Sequence, residues 1–179
     1  MLTVGNAALI IIDMQEKLTR AMSNKEYLVT NLQKLISGLR LLGVPMIHTE
    51  QYPQGLGLTI TEVSSLLPDT KPIMKMEFSC CGNAEFLAKL KALNKKQILI
   101  AGIEGHVCVY QTTADLLIAG YEVQIVTDCV SSRTNDNKTI AIEKMRNLGA
   151  QITSTEIVLF ELLRTAEHKN FKDISRIVK

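Results

Sequence analysis

The stretch QILIAGIEGHVCVYQTTADLL, Gln97 to Leu117, decides the fold class. Its opening QILIAG is a short apolar run of the kind that forms a buried strand, and from Val107 to Ala119 apolar residues recur at helical spacing. A buried strand leading straight into a helix is the repeating step of a parallel sheet. The step recurs on both sides. Towards the N-terminus, ALIIID precedes Lys25 to Leu42, VPMIHT leads into a Gly and Pro loop, and KPIMKME precedes Asn83 to Leu93. Towards the C-terminus, YEVQIVTD precedes Asn137 to Leu148, and AQIT precedes Glu156 to Leu163. The alternation predicts an α/β fold: one domain over residues 1–179, three layers α/β/α, with a six-stranded, mainly parallel, Rossmann-like sheet.

Helix boundaries agree with that reading. Glycines in LLGVP and NLGAQ stand where left-handed C-terminal caps form, and TSTE offers Thr153 and Glu156 as a capping box. The tail HKNFKDISRIVK spaces Phe171, Ile174 and Ile177 as a short amphipathic helix. The longest irregular stretch, Glu50 to Lys71, is expected to line a pocket or a subunit contact.

At 179 residues, with 46% hydrophobic and 21% charged, the chain has enough apolar surface for one substantial core. Its net charge of +2 is spread along the chain, so no field favours nucleic acid, and no basic, aromatic patch offers to bind it. No segment reaches the roughly 20 apolar residues of a membrane helix. The N-terminus lacks the basic region of a signal peptide, and the four cysteines have no framework spacing, which predicts a reducing, cytoplasmic setting. The expected partner is a small-molecule substrate, with neither nucleic acid nor membrane. The apolar run EIVLFELL carries Ile157, Leu159, Phe160 and Leu163, more than one helix face needs, and predicts a homo-oligomer.

Ligands of open parallel sheets bind outside the carboxyl ends of the strands. Three residues fall at that edge: Asp13 after the first strand, Lys75 near the end of the third, and Cys108 after the fourth. Each has a plain structural alternative: Asp13 as a turn cap, Lys75 as a solvated ammonium, Cys108 as buried filler. Cys108 stands where a helix begins, and a helix N-terminus favours thiolate over thiol. Together the three supply base, cation and nucleophile for acyl transfer.

The chain also resembles the isochorismatase-like cysteine hydrolases, a family that includes the nicotinamidases. The resemblance covers nearly the whole sequence and rests on IIIDMQ with Asp13 and Gln15, KMEFS with Lys75 and Ser79, GIEGHVCV with Cys108, and the following AGYEVQIVTDCVSSR. TEQYPQGLG and EIVLFELLRTAEHKNF resemble an isochorismatase-domain subgroup. What this implies is an Asp-Lys-Cys triad of Asp13, Lys75 and Cys108, a cis peptide between Ile103 and Glu104, and an oxyanion hole from the amides of Glu104 and Cys108. The implied activity is cleavage of a C–N bond in a small amide through a thioester. The alternatives are vinyl-ether cleavage of the isochorismatase kind and a non-catalytic oligomeric binding protein.

One departure bears on substrate. Nicotinamidases carry an Asp-Trp-His-Pro stretch that helps to hold a metal, whereas here the matching residues are EQYP, Glu50 to Pro53, with no histidine in the following loop. No metal and no cofactor are expected, and nicotinamide is not the expected substrate. Gln15, Gln51, Tyr52, Leu56 and Phe78 are the expected pocket residues. His106, two positions before Cys108, is read as a packing or capping residue, Cys80 and Cys81 as reduced loop thiols, and Cys129 as core filler.

Overall fold

A computed structural model describes residues 1–179. The strand β1, Ala7–Ile12, is buried at all six positions. Such burial requires cover on both faces, and the chain supplies it by sending alternate residues into two cores. Leu9 and Ile11 enter one cluster, with helices α2 (Lys25–Leu42), α8 (Thr155–Leu163) and α9 (Phe171–Val178). Ala8, Ile10 and Ile12 enter the other, with α5 (Ala84–Leu93), α6 (Tyr110–Ile118) and α7 (Asn135–Asn147).

The remaining strands are β2 (Met46–Gln51), β3 (Ile73–Lys75), β4 (Gln97–Gly102), β5 (Glu122–Val130) and β6 (Gln151–Thr153). All six form one sheet in the order β3-β2-β1-β4-β5-β6, and every pair is parallel. Strand order reverses between β1 and β4, the switch point at whose carboxyl ends open parallel sheets place their ligands.

Helix α2 follows from Leu28, Leu32, Leu35, Ile36, Leu39 and Leu42, which share one buried stripe. It ends at Gly43, whose φ of 73° is the left-handed cap. A Cβ on Gly38 would come within 2.5 Å of Leu159 Cδ2, so this glycine lets α2 and α8 close together.

Four details depart from the sequence reading. The stretch Glu50 to Lys71 is not wholly irregular: it contains the end of β2 and the short helices α3 (Pro53–Leu56) and α4 (Thr61–Ser64). A further short helix, α1 (Glu16–Arg20), follows β1. The cap of α8 is Ser154, whose side chain accepts from the Ile157 N–H, in place of the Thr153 and Glu156 box; Thr153 faces inward and is 5% exposed. Finally, of the four apolar residues of α8 read as more than one helix face needs, Leu159 and Leu163 are buried within the chain with Val158 and Leu162. Ile157 and Phe160 remain exposed.

Candidate active site

Asp13 leaves the end of β1 with φ 51°, a left-handed backbone that aspartate tolerates better than most residues. It is fully buried. Its carboxylate is held from two sides: the Thr49 hydroxyl donates to Oδ1 at 2.7 Å and Lys75 Nζ donates to Oδ2 at 2.7 Å. Both side chains of the Asp13–Lys75 ion pair have no exposure.

Lys75 reaches that position because β3 pairs with β2 in the register Gln51 to Lys75, and because alternation turns Ile73 and Lys75 inward and Met74 outward. Its ammonium also meets Gln51 Oε1 at 2.7 Å and the carbonyls of Glu77 and Phe78 at 3.2 and 3.3 Å. Burial alone would lower the Lys75 pKa, but Asp13, with help from the neighbouring thiols, outweighs it and the net shift is upward. The ammonium therefore stays charged.

Between β4 and α6 the chain makes a π-helical turn, Gly105–Val109, and Cys108 lies inside it, 5% exposed. The sequence reading expected a helix N-terminus to favour thiolate. The structure reverses that expectation: burial pushes the Cys108 thiol up, the Asp13 charge adds to the shift, and Lys75 offsets only part of it. Burial and the Asp13 charge thus favour the thiol over the thiolate at Cys108.

Gly102 ends β4 with φ 115°, and a Cβ there would fall 2.1 Å from the Ile12 carbonyl oxygen. Glycine thus lets the turn that leads to Cys108 pass close to the strand that ends at Asp13. The Ile103–Glu104 peptide that follows is cis. The Glu104 N–H donates to no protein acceptor. The Glu104 carboxylate accepts from Arg133 Nε at 2.8 Å, and His106 Nδ1 lies 3.1 Å from Ser132 Oγ, which anchors this turn to the chain after β5.

The expected pocket residues divide into two groups. Gln15 and Gln51 are buried with their amides committed to protein. Gln15 Nε2 donates to the Gln51 and Gly57 carbonyls and Gln15 Oε1 accepts from the Gln51 N–H. Gln51 Nε2 donates to the Met76 carbonyl while its oxygen holds Lys75. These two glutamines brace the loops around Lys75. Tyr52 and Phe78 are exposed at 47% and 54%, and Leu56 is half-buried in α3.

Sequence reasoning missed Thr49. It also took Cys80 for a loop thiol, whereas Cys80 is fully buried and its Sγ lies 4.0 Å from Thr49 Oγ1. Period-two alternation through HTEQ was the available signal: Thr49 and Gln51 share a face and flank the residue that pairs with Met74. No group of three or more His, Cys, Asp or Glu side chains converges as a metal site would require.

Comparison with known proteins gives a consistent picture. The isochorismatase domain model matches residues 7–157. Isochorismatase family protein 1B of Dictyostelium discoideum is 43% identical over 178 residues, covering 97% of this chain and 86% of that protein. The structure of MAR1 ribonuclease from Caenorhabditis elegans superposes with a TM-score of 0.93 at 35% identity, covering 99% of this chain and 91% of that one. YcaC from Pseudomonas aeruginosa, solved with hexane-2,5-diol and covalent acrylamide, gives a TM-score of 0.92 at 27% identity, covering 97% and 89%.

Proposed function

The chain belongs to the isochorismatase domain family, and on that premise we propose that this hydrolase cleaves the C–N bond of a small amide through a thioester on Cys108. The observation that carries the proposal is the buried Cys108–Asp13–Lys75 group, in which Lys75 Nζ holds Asp13 Oδ2 at 2.7 Å beside a buried Cys108.

In this reading Asp13 accepts the thiol proton as sulfur attacks the carbonyl carbon, and Lys75 stays charged throughout. Each carboxylate oxygen accepts more than one hydrogen bond, so Asp13 can serve Cys108 while holding Thr49 and Lys75. The unpaired Glu104 N–H and the Cys108 N–H are assigned to the developing oxyanion, where a single donor is often worth about 3 kcal/mol. As the C–N bond breaks, Asp13 returns the proton to the departing nitrogen. It then takes a proton from water, which attacks the thioester, frees the acid and restores the thiol. Tyr52, Leu56 and Phe78 are assigned to the substrate's approach.

The acrylamide bound covalently to Pseudomonas aeruginosa YcaC is an electrophilic small amide, which supports nucleophilic chemistry in a protein of this fold. The ribonuclease named in the Caenorhabditis elegans relative suggests a second activity to assay. A phosphodiester would bring an anion against Asp13, whereas an amide would not. All four cysteines are free, which supports a reducing, cytoplasmic setting. No helix is long and apolar enough to cross a membrane.

The test is ammonia release from a panel of small primary amides by the parent, Asp13→Asn and Cys108→Ala, with structured RNA in parallel. Release that both variants abolish is the expected result. Ammonia release that survives Cys108→Ala would reject the thioester on Cys108, and cleavage of RNA alone would reject the amide reading.

A further inference from the structure

We propose that Thr49 is the positioning residue for Asp13, an inference that rests on the catalytic reading above and assigns β2 a role in it. Thr49 grips Asp13 at two points. Its carbonyl accepts the Asp13 N–H at 3.2 Å, and its hydroxyl donates to Asp13 Oδ1 at 2.7 Å. The main-chain contact fixes the left-handed turn at φ 51°, and a non-glycine residue in that region persists where its surroundings over-determine it. The side-chain contact fixes the carboxylate plane.

The division of labour follows from the two oxygens. Lys75 takes Oδ2 and Thr49 takes Oδ1, so rotation of the carboxylate about its Cβ–Cγ bond would break at least one short hydrogen bond. Without Thr49 the ion pair with Lys75 alone leaves the plane free to turn about that contact. The hydroxyl is 1% exposed as part of its residue, so water does not readily replace it. Two residues along the same face, Gln51 holds Lys75 Nζ at 2.7 Å. One strand face thereby orients base and cation together.

The hydroxyl also withdraws charge from the carboxylate that faces Cys108. Removing it exposes the thiol to a less compensated anion, and thiolate formation becomes harder. Thr49→Ser keeps the donor, and Thr49→Val keeps the shape without it.

The pH dependence of Cys108 alkylation by iodoacetamide, followed by peptide mass spectrometry, tests this without knowledge of the substrate. Thr49→Val is expected to move the Cys108 midpoint upward, slowing alkylation about tenfold at a fixed pH below it, as loss of a hydrogen bond to a charged group predicts. Thr49→Ser is expected to follow the parent. Thr49→Ala serves the same purpose where valine unfolds the chain, with circular dichroism reporting the fold. If Asp13→Asn moves the midpoint and Thr49→Val and Thr49→Ala do not, the role of Thr49 is wrong while the catalytic reading stands. If Asp13→Asn leaves it unmoved, Asp13 does not govern the thiol and both readings fall.

Discussion

Cys108, Asp13 and Lys75 form a site in which each charge is stabilised by a neighbour and none by solvent. Removing one member of a fully buried ion pair strands the other, which costs about 3–5 kcal/mol, while removing both together is far milder. Lys75→Met should therefore lower the unfolding free energy by an amount in that range, and adding Asp13→Asn should restore a large part of it. Urea unfolding of the two single variants and the double variant measures the coupling; additive losses would mean that the pair is not a unit. Cys80 makes a second prediction at this scale. Burial, opposed in part by Lys75, pushes its thiol from about 9 up to about 11. A thiol raised in the fold favours the native state below the unfolded value and loses that contribution as pH rises through the folded one. Stability should fall between about pH 9 and 11, and Cys80→Ala should flatten that fall.

Among the elements, β2 and β4 determine most of the site. The strand β2 sends Thr49 and Gln51 towards Asp13 and Lys75, and sends His48 to the opposite face, where Nδ1 meets Thr70 Oγ1 at 3.2 Å. Burial holds His48 below the ordinary histidine value of 6.5; Glu50 opposes the shift and Lys89 adds to it. A depressed histidine contributes stability above the unfolded value and loses it as pH falls. The thermal midpoint should thus drop on acidification below about pH 6.5, and His48→Gln should weaken that dependence. At the end of β4, Gly102→Ala would force a side chain into the Ile12 backbone at a positive φ. Loss of several degrees in melting temperature, together with slowed Cys108 alkylation, is expected from the displaced turn; a variant that melts with the parent would show that the approach is not needed.

These two elements also mark how far the sequence could be read. The continuous apolar run of ALIII requires cover on both faces, so the parallel sheet was legible, as were the ends of α2. Asp13, Lys75 and Cys108 were legible as residues at strand ends. For Thr49 only its face was legible, shared with Gln51 by period-two alternation; that this face meets Asp13 and Lys75 depends on the lateral pairing of β2 with β1 and β3, which no local pattern encodes. The direction of the Cys108 shift failed for a similar reason: the helix-terminus argument is local, whereas burial and the Asp13 charge arrive through tertiary packing.

The whole molecule is a doubly covered sheet whose switch point between β1 and β4 gathers Asp13, Lys75 and Cys108 at one edge. Met74, Met76 and Phe78 stand exposed beside that edge at 60%, 66% and 54%. We propose that this patch meets further copies of the chain, as expected of a homo-oligomer, so that light scattering at micromolar concentration should give a mass above the 19.9 kDa of one chain; a clean monomer would reject assembly and leave the catalytic account intact. That account stands or falls on Cys108 as an acyl acceptor. The most direct measurement is peptide mass spectrometry after brief reaction with p-nitrophenyl acetate, a generic acyl donor, in the parent and in Cys108→Ala. The account predicts an acetyl group on Cys108 that hydroxylamine removes, and no equivalent modification in the variant. Acetylation confined to surface lysines, with Cys108 unmodified in the folded parent, would contradict it.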